Sequence, residues 1–301
     1  MEIKLLTTNH FTDYELIDAG NFEKIERFGE YILIRPEPQA LWNRKFSENE
    51  WLKLAHAKFK RETQKTSWRS GDTENGGWTK FKKMPDNWQI SYTIPQGVLK
   101  FKLALTSFGH IGVFPEQAQN WNYLSSILSN ENFKKVKVLN AFGYTGVASL
   151  AASIAGAEVT HLDAVKQMIY WNKENSELSK IENIRRITDD ALKFLRREVK
   201  RNSIYQGIII DPPAYGRGPD GEKWILEEGI NELLSLCSQL TDKNNFFFIL
   251  NLYSLGYSSV IANNLVSSYF DYNQKEAGEF YLQAKSGIIL PLGTFVRISK
   301  F

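Results

Sequence analysis

The sequence predicts an α/β protein, in which an open sheet of mainly parallel strands follows a smaller β-rich domain. After Pro115, short apolar runs alternate with helical patterns, as is typical of parallel strands covered by helices on both faces. Before Pro115 the chain has no long helical period, and its β-like runs are separated by Pro, Gly and Asn. A length of 301 residues also exceeds one ordinary domain. We therefore expect a β-rich domain over residues 1–115 and an α/β domain over residues 116–301.

The composition is that of a soluble globular protein, with 43% apolar and 24% charged residues. The single cysteine, Cys237, excludes an intrachain disulfide and a Cys-rich zinc site. The four histidines are scattered and show no H-E-x-x-H pattern, so we expect no metal site and no catalytic histidine; His161, in a strand, should be buried. No apolar run approaches the ~18 residues of a spanning helix, and the residues after Met1 do not resemble a signal peptide. These features predict a cytoplasmic protein without a membrane segment.

The N-terminal part should contain short strands and one helix. Its β-like runs are Tyr31–Arg35, Gln89–Ile94 and Leu99–Leu105. A helix is expected near Glu48–Arg61, and Ser70–Gly77 (SGDTENGG) is a polar, glycine-containing loop.

A basic and aromatic stretch runs from Trp42 to Lys83. It carries eleven Lys and Arg residues against five acidic ones, and four of the chain's eight tryptophans are interleaved with them. Cations that neutralise phosphates, together with aromatic faces that stack on bases, suit a nucleic-acid groove. A solvated basic surface with tryptophans that pin a small domain explains the same pattern, and both interpretations stay open.

The C-terminal part is expected to begin with a helix over Glu116–Leu128 and to continue as βα units. The expected strands are Val136–Asn140, Glu158–Asp163, Asn183–Thr188, Gly207–Asp211 and Asn245–Asn251, with further strands at Glu279–Ala284 and Thr294–Ser299. The expected helices between them are Thr145–Gly156, Val165–Leu178, Ala191–Lys200 and Leu226–Leu240.

A glycine turn, AFGYTG, joins the first of these strands to its helix. Such a turn lets a ligand approach the backbone at a helix N-terminus. The spacing Gly143-x-x-Gly146 is not the G-x-G-x-x-G of a dinucleotide site, so an adenosine that carries an amino-acid tail fits better. Asp163, at the carboxyl end of the next strand, is placed to accept hydrogen bonds from ribose hydroxyls. A purely structural turn is the alternative.

Two acidic residues, Asp189 and Asp190, follow the third strand of this part. We expect Asp190 to reach the adenine amino group and Asp189 to face solvent. Either one could also cap the helix that begins at Ala191, and capping does not exclude a ligand contact.

The loop after the fourth strand reads IIIDPPAYGRGP, Ile208–Pro219. The strand ends in an acid, and two prolines then stiffen the loop at the sheet edge where open α/β sheets bind ligands. Tyr215 could stack on a flat substrate, and Arg217 could pair with a phosphate or a carboxylate. Adjacent prolines could also serve only as a turn device.

Together, the segments NAFGYTGVASLAA, THLDAVKQMIYWNKENSELS, ITDDALKFLRREVKR and IIIDPPAYGRGPDGEKWILEE resemble class I S-adenosylmethionine (SAM)-dependent methyltransferases. The chain is similar to the large-subunit rRNA methyltransferase family over roughly 112–251, including the approach segment GVFPEQAQNW. The resemblance implies a Rossmann-like, seven-stranded mixed sheet whose last strand pair is antiparallel. With Gly146 of the turn, the SAM contacts that it implies are Asn140, Phe142, Gly143, Tyr144, Thr145, Asp163, Asp190 and Asp211.

The resemblance also implies direct methyl transfer at a D/N-P-P-aromatic loop. In that loop the acid and the proline carbonyl accept hydrogen bonds from a target amino group, roles that Asp211 and Pro212 match. With Pro213 and Tyr215 they form the expected catalytic set, and Tyr215 and Arg217 are the expected substrate contacts. The aromatic residue is displaced by one position, because Ala214 stands where the motif places it.

Cytosine-C5 methylation is excluded by a second departure from the related rRNA enzymes. That chemistry needs a cysteine nucleophile after the fifth strand. The matching stretch here is Asn251–Ser254, with Tyr253 in the cysteine's place. Cys237 lies on the apolar face of the Leu226–Leu240 helix, where a free cysteine is usually a small core residue.

The leading hypothesis is therefore a SAM-dependent methyltransferase that binds RNA and methylates rRNA at a nitrogen. One alternative keeps the chemistry but makes a protein side chain or a small molecule the acceptor. A second is an RNA-binding protein that retains SAM without turnover. An NAD-dependent oxidoreductase is disfavoured by the glycine spacing.

Overall fold

The computed structural model describes residues 2–8, 10–61, 76–253 and 256–301. Residues 62–75 lie outside this set, and with them Lys65, Trp68, Arg69 and most of the Ser70–Gly77 loop of the sequence analysis; Ser254 lies outside it as well. The strands are β1 Lys4–Thr7, β2 Tyr14–Gly20, β3 Glu23–Phe28, β4 Tyr31–Pro36, β5 Ala57–Arg61, β6 Gly76–Lys80, β7 Asn87–Ile94, β8 Gly97–Ala104, β9 Lys137–Ala141, β10 Glu158–Asp163, β11 Ile184–Thr188, β12 Gly207–Ile210, β13 Tyr215–Arg217, β14 Lys223–Ile225, β15 Phe246–Leu252, β16 Gln274–Gln283 and β17 Ile289–Lys300. The helices are α1 Glu48–Leu54, α2 Ala118–Leu128, α3 Val147–Ile154, α4 Lys166–Leu178, α5 Ala191–Lys200, α6 Leu226–Leu240 and α7 Ser259–Ser267.

In the described part of the chain, the main sheet has eight strands in the order β1-β16-β17-β15-β12-β9-β10-β11. The five strands from β15 to β11 are parallel, and β17 is antiparallel to both β15 and β16. The expected Rossmann-like mixed sheet with an antiparallel last pair is confirmed. The strand number of seven was one too low, because β1 adds to the sheet edge in parallel with β16. This strand precedes the domain boundary expected at residue 115.

Continuous apolar strands place the core on both faces of this sheet. All seven residues of β15 are buried, and they alternate between two apolar clusters. Phe247 and Ile249 face the side covered by α2 and α3, whereas Phe248 and Leu250 pack with α5 and α6. Burial on both faces favours apolar residues, and the one polar residue of FFFILNL, Asn251, accepts a hydrogen bond from Asn120.

The β-rich N-terminal sheet has the order β2-β3-β4-β5-β6, within the described residues. Its helix α1 begins at a capping box, in which Ser47 and Glu50 satisfy each other's backbone amides. The helix expected over Glu48–Arg61 is too long, because α1 ends at Leu54 and Ala57–Arg61 forms β5. The period-two burial of Ala57–Arg61 matches a strand, and the chain turns extended directly after α1.

A hairpin of β7 and β8 attaches the N-terminal part to the main sheet's helices. The Trp171 indole of α4 donates to the Lys102 carbonyl at 3.0 Å, and the Lys102 amide donates to Asn175 Oδ1 at 2.9 Å. On the other side Phe101 meets Trp121 of α2, with ring centroids 5.8 Å apart. Residues on both sides of position 115 therefore share one apolar cluster.

The segment that approaches the main sheet begins with a 3-10 turn, Pro115–Gln117, before α2. The helix expected to start at Glu116 thus starts its regular part at Ala118. No helix in the described ranges has the length and apolar character to cross a bilayer. Nor do the described residues contain a group of three or more His, Cys, Asp or Glu side chains arranged to hold a metal ion.

Candidate active site

A cavity of 630 Å³ opens at the carboxyl ends of the parallel strands. This is the edge at which open α/β sheets bind ligands. All the site residues expected from the sequence line it, namely Asn140, Phe142, Gly143, Tyr144, Thr145, Gly146, Asp163, Asp190, Asp211, Pro212, Pro213, Tyr215 and Arg217. The structure thus brings together side chains from four strand ends and one hairpin.

The glycine turn after β9 folds with unusual backbone angles. Phe142 and Tyr144 have φ values of 56° and 52°, and Gly146 has 83°. Left-handed non-glycine residues cost about 1 kcal/mol each, and such strain is typical of binding sites. A Cβ on Gly143 would lie 2.4 Å from His161 Cε1, and one on Gly146 would lie 1.8 Å from Asn172 Nδ2. Both glycines are therefore required by space, and they keep the turn's backbone close to the sheet.

Asp163 ends β10 directly beside this turn. Its Oδ2 accepts the Tyr144 amide at 2.8 Å, and its Oδ1 accepts the Val165 amide at 2.8 Å. Burial raises the pKa of the Asp163 carboxyl above its usual range, and the two backbone donors oppose that rise. Each oxygen keeps a second lone pair for a ligand. The carboxylate is thus oriented by the backbone and can still accept two hydroxyl hydrogens.

Of the two acids after β11, Asp190 caps a helix, one of the roles that the sequence left open, whereas Asp189 is only partly exposed and does not simply face solvent. Asp190 Oδ1 caps α5 by accepting the Lys193 amide at 2.9 Å. Asp189 Oδ1 accepts the Asp190 amide at 2.9 Å, and its other oxygen pairs with Arg197. Both residues line the cavity. Capping uses only one oxygen of Asp190, so a contact of the other oxygen with adenine stays a prediction.

Two further residues of the expected cofactor set have their polar atoms engaged within the protein. The Thr145 hydroxyl donates to the Gly112 carbonyl at 2.7 Å, and Asn140 Nδ2 donates to Ser149 Oγ at 2.9 Å. Both side chains are buried. They line the cavity but also hold the approach segment and α3 in place.

Asp211 follows β12 at the base of the cavity. Burial and the neighbouring Glu116 carboxyl raise the pKa of Asp211 to about 8. Gln117 Nε2 donates to Asp211 Oδ2 at 3.3 Å, a long hydrogen bond of the kind that often tightens when substrate binds. The carboxylate, which accepts hydrogen bonds more strongly than the protonated acid, therefore becomes the main form of Asp211 only above about pH 8.

The loop after Asp211 continues into a short hairpin of β13 and β14. Pro213 accepts a hydrogen bond from the Trp224 indole at 2.7 Å, which fixes the loop from β14. Tyr215 and Arg217 lie on β13, with Tyr215 partly buried and Arg217 exposed at the rim. Trp224 also contacts Phe142 at a centroid distance of 5.1 Å. The sequence analysis did not single out Trp224, although the segment GEKWILEE contains it.

The approach segment supplies cavity residues that the sequence analysis quoted only as part of a motif. Phe114 packs against Tyr144 and Tyr253, with ring centroids 5.5 and 5.9 Å apart. Gln117 joins them in the lining. The sequence FPEQ contains both residues, but no neighbouring residue indicates a role for a glutamine that follows a proline turn.

The nucleophile expected for cytosine-C5 chemistry is absent from this cavity. Tyr253 lines it at the position that matches the cysteine of related enzymes. Cys237 is fully buried on α6, and burial raises the pKa of its thiol well above the usual range. A thiol that is both buried and protonated is inert.

Desolvation lowers the pKa values of His161 and His110. His161 is fully buried in β10, as expected, and desolvation lowers its pKa to about 3. His110 lines the cavity, which the sequence did not indicate; its side chain is exposed, and desolvation by the cavity walls together with Arg35 lowers its pKa. Neither changes its charge near neutral pH.

The tryptophans of the Trp42–Lys83 stretch serve the N-terminal fold where the structure describes them. Trp51 is fully buried and donates to Asp18 Oδ2 at 3.1 Å. Trp42 and Trp78 donate to the carbonyls of Ala19 and Thr106 at 2.8 and 2.7 Å. These contacts favour the domain-pinning interpretation for these three indoles. Lys60 and Lys83 are exposed.

Comparisons with known proteins give a consistent family. No protein-family model matches the chain. The crystal structure of a SAM-dependent methyltransferase from Agrobacterium tumefaciens is 34% identical, with a TM-score of 0.87, and the match covers 99% of this chain and 94% of that one.

Two curated relatives are named ribosomal RNA large subunit methyltransferase K/L. The relative from Pseudoalteromonas translucida (strain TAC 125) is 33% identical over 119 residues, which is 38% of this chain and 16% of that protein. The relative from Shewanella baltica (strain OS195) is 29% identical over 177 residues, 57% of this chain and 24% of that protein. The chain spans about a quarter or less of the length of these relatives.

The resemblance drawn from the four sequence segments is confirmed by these matches. The Agrobacterium tumefaciens structure aligns with both the N-terminal sheet and the main sheet, since it covers nearly the whole chain. The chain therefore belongs to the family of SAM-dependent methyltransferases.

Proposed function

We propose that this protein transfers the methyl group of SAM to a nitrogen of an RNA, in the cytoplasm, at the loop Asp211-Pro212-Pro213. The observation that carries the proposal is the placement of Asp211. Its carboxyl lies at the base of a cavity that also contains the glycine turn and Asp163. One cavity thus joins a nucleoside-type site to an acceptor for an amino hydrogen.

The residues fit SAM at the glycine turn. The Cβ atoms that Gly143 and Gly146 lack would collide with His161 and Asn172, so the turn packs closely against β10 and α4 while it lines the cavity. Asp163 would hold the ribose, Asp190 the adenine amino group, and the turn at Phe142–Gly146 the amino-acid tail. SAM supplies an electrophilic methyl group.

The chain's own residues would align the acceptor. Asp211 and the Pro212 carbonyl accept hydrogen bonds from the target amino group, which orients its nitrogen lone pair away from them and toward the methyl carbon. Tyr215 stacks on the base, and Arg217 at the rim pairs with a phosphate. Alignment of this kind can lower a barrier by up to about 7–11 kcal/mol.

A nitrogen acceptor is favoured over carbon by the side chains around Asp211. Carbon methylation through a covalent adduct needs a thiolate nucleophile. Tyr253 stands at that position, and Cys237 is buried elsewhere in α6. The Asp211 carboxyl, which also lines the cavity, instead offers oxygen atoms that can accept hydrogen bonds from an amine.

RNA is favoured as the acceptor by the two relatives whose names state rRNA methylation. The exposed Arg217 at the cavity rim is consistent with a phosphate contact. The described tryptophans do not add support, since their indoles bond within the N-terminal domain.

The test is the transfer of tritiated methyl groups from SAM to total RNA and, separately, to total protein. Label in RNA that is lost in the Asp211→Ala variant would support the proposal, and nuclease digestion would then identify the methylated nitrogen. Label found only in protein would contradict the RNA acceptor. SAM binding by calorimetry without any transfer would favour an RNA-binding protein that retains SAM.

A further inference from the structure

A line of buried amide groups connects Arg297 to Asp211. Arg297 Nε on β17 donates to Asn120 Oδ1 on α2 at 2.8 Å. Asn120 Nδ2 donates to Gln117 Oε1 at 2.7 Å, and Gln117 Nε2 donates to Asp211 Oδ2 at 3.3 Å. Arg297, Asn120 and Gln117 are 4%, 1% and 9% exposed, so water does not compete for these bonds.

The line has a direction, which the guanidinium sets. Arginine only donates, so the carbonyl oxygen of Asn120 must face Arg297 and its NH₂ group must face the other way. Asn251 Oδ1 accepts from the same NH₂ group at 2.9 Å, which reinforces that orientation. Gln117 must then present its oxygen to Asn120 and its NH₂ group to Asp211. Either amide, if flipped, would set donor against donor.

The second hydrogen of the Gln117 NH₂ group is also used. It goes to the Tyr253 hydroxyl at 2.7 Å. Tyr253 in turn hydrogen-bonds the buried Glu116 carboxyl, so its own proton is directed there and not toward Asp211. The group whose charge acts on Asp211 is thus Glu116, and Gln117 is a neutral donor to both Asp211 and Tyr253.

We propose that Gln117 is a positioning residue, which holds Oδ2 of Asp211 and leaves Oδ1 to accept the hydrogen of the target amino group. Asn120 and Arg297 act one step further out, because they fix the direction of the Gln117 amide. The proposal rests on the proposed function, in which Asp211 contacts the acceptor. A donor on one oxygen also favours the ionised carboxylate, the form that accepts most strongly.

The first test is Gln117→Glu, which keeps the shape of the side chain and replaces its donor by a carboxyl. We expect kcat to fall ~10–100-fold, less than the ~100–1000-fold lost with a donor to the reacting atoms, because Gln117 acts through Asp211. The KM and the calorimetric Kd for SAM should change less than about twofold, because the Gln117 amide bonds Asp211, Tyr253 and Asn120 rather than the glycine turn. The acid limb of kcat/KM should move to higher pH by about one unit, because the carboxylate loses a donor.

Asn120→Asp is the second variant, and it leaves Gln117 in place. An aspartate still accepts from Arg297 but cannot donate to Gln117, so the Gln117 amide is free to flip. For Asn120→Asp we again expect a lower kcat and an acid limb at higher pH, but both changes should be smaller than in Gln117→Glu. The matched control is Gln119→Ala, whose side-chain amide bonds the Thr7 carbonyl away from the cavity and should leave kcat unchanged.

A readout that needs no turnover is the titration of the Asp211 carboxyl, followed by carbon-13 NMR in wild type, Gln117→Ala and Asn120→Asp. Folded variants with wild-type kcat, pH limb and Asp211 titration would overturn the positioning role while leaving the methyltransferase proposal intact. Full activity in Asp211→Ala would instead refute the proposed function. If Gln117→Glu does not fold, Asn120→Asp and Gln117→Ala decide by the same criteria.

Discussion

The backbone amide of Tyr144 donates to Oδ2 of Asp163 at 2.8 Å, and this bond ties the glycine turn to the end of the next strand. The two halves of the expected nucleoside site are therefore one unit, because the turn that approaches the ligand also orients the carboxylate. A change at either residue should disturb both.

Asp163→Ala should weaken SAM binding by at least ~1 kcal/mol, about fivefold or more in Kd, because it removes two ribose acceptors and frees the turn. The SAM affinity of Asp163→Asn should lie between those of the wild type and Asp163→Ala, since the asparagine retains one oxygen. Calorimetric titration with SAM measures both. Asp271→Ala, at an exposed residue that pairs with Lys300, is the control. Wild-type affinity in Asp163→Ala would remove this residue from the cofactor site.

Gly146→Ala should destabilise the protein by about 2–3 kcal/mol and reduce SAM affinity. The new Cβ would lie 1.8 Å from Asn172 Nδ2 at a φ of 83°, so it adds both collision and strain. Gly156→Ala is a matched control, because its φ is 100° but no atom lies within 4 Å of the new Cβ. It should cost only about 1 kcal/mol. Urea unfolding compares the two, and equal losses would show that backbone strain alone decides.

Sequence periodicity was sufficient to predict the bounds of elements whose pattern depends only on neighbouring residues. The helices Ala191–Lys200 and Leu226–Leu240 and the strand Glu158–Asp163 have the predicted bounds. The prediction that the helix extends to Arg61 was wrong. The basic residues of AKFKR are equally typical of the exposed face of a helix, and the segment becomes a strand through its pairing with β4 and β6. β1 was missed for the same reason, since its partner β16 lies at the other end of the chain.

The residues of the candidate site likewise divide into those that local sequence predicts and those that only the fold brings into place. The glycine turn, the acids at strand ends and the two prolines are local signals, and the structure brings these residues into one cavity. Gln117 could not be assigned from its neighbours, because its role depends on Asn251 and Arg297, which follow more than a hundred residues later. A hydrogen-bond direction that passes through two amides to a distant arginine leaves no periodic pattern in the sequence.

The folded protein should lose stability relative to Asp211→Asn as pH rises from about 4 to 8. The pKa of Asp211 is raised to about 8 from 3.8, so in this window the folded state holds a proton that the unfolded state has released. Stability then falls with rising pH wherever the folded state binds more protons. Asparagine does not titrate, so the difference between the two proteins should grow with pH.

We expect that difference to be on the order of 2 kcal/mol at pH 8, smaller than the full shift implies, because the side chain is partly exposed to water. Urea unfolding of both proteins between pH 4 and pH 9 measures it. Parallel curves across this range would show that Asp211 ionises with an ordinary pKa, and would contradict a raised pKa in the folded state.

Cys237→Ala should retain full methyl transfer and lose about 1 kcal/mol of stability, the cost of one small buried apolar group. Cys237→Ser should lose more, because it buries a hydroxyl among Leu233, Leu234 and Leu240. Both follow from a thiol that packs in the core and takes no part in chemistry. Methyl-transfer rates with SAM and the best RNA substrate measure the effect on activity, and urea unfolding of the same variants measures the effect on stability. A loss of transfer in Cys237→Ala at unchanged SAM affinity would reinstate a covalent route and exclude direct transfer to nitrogen.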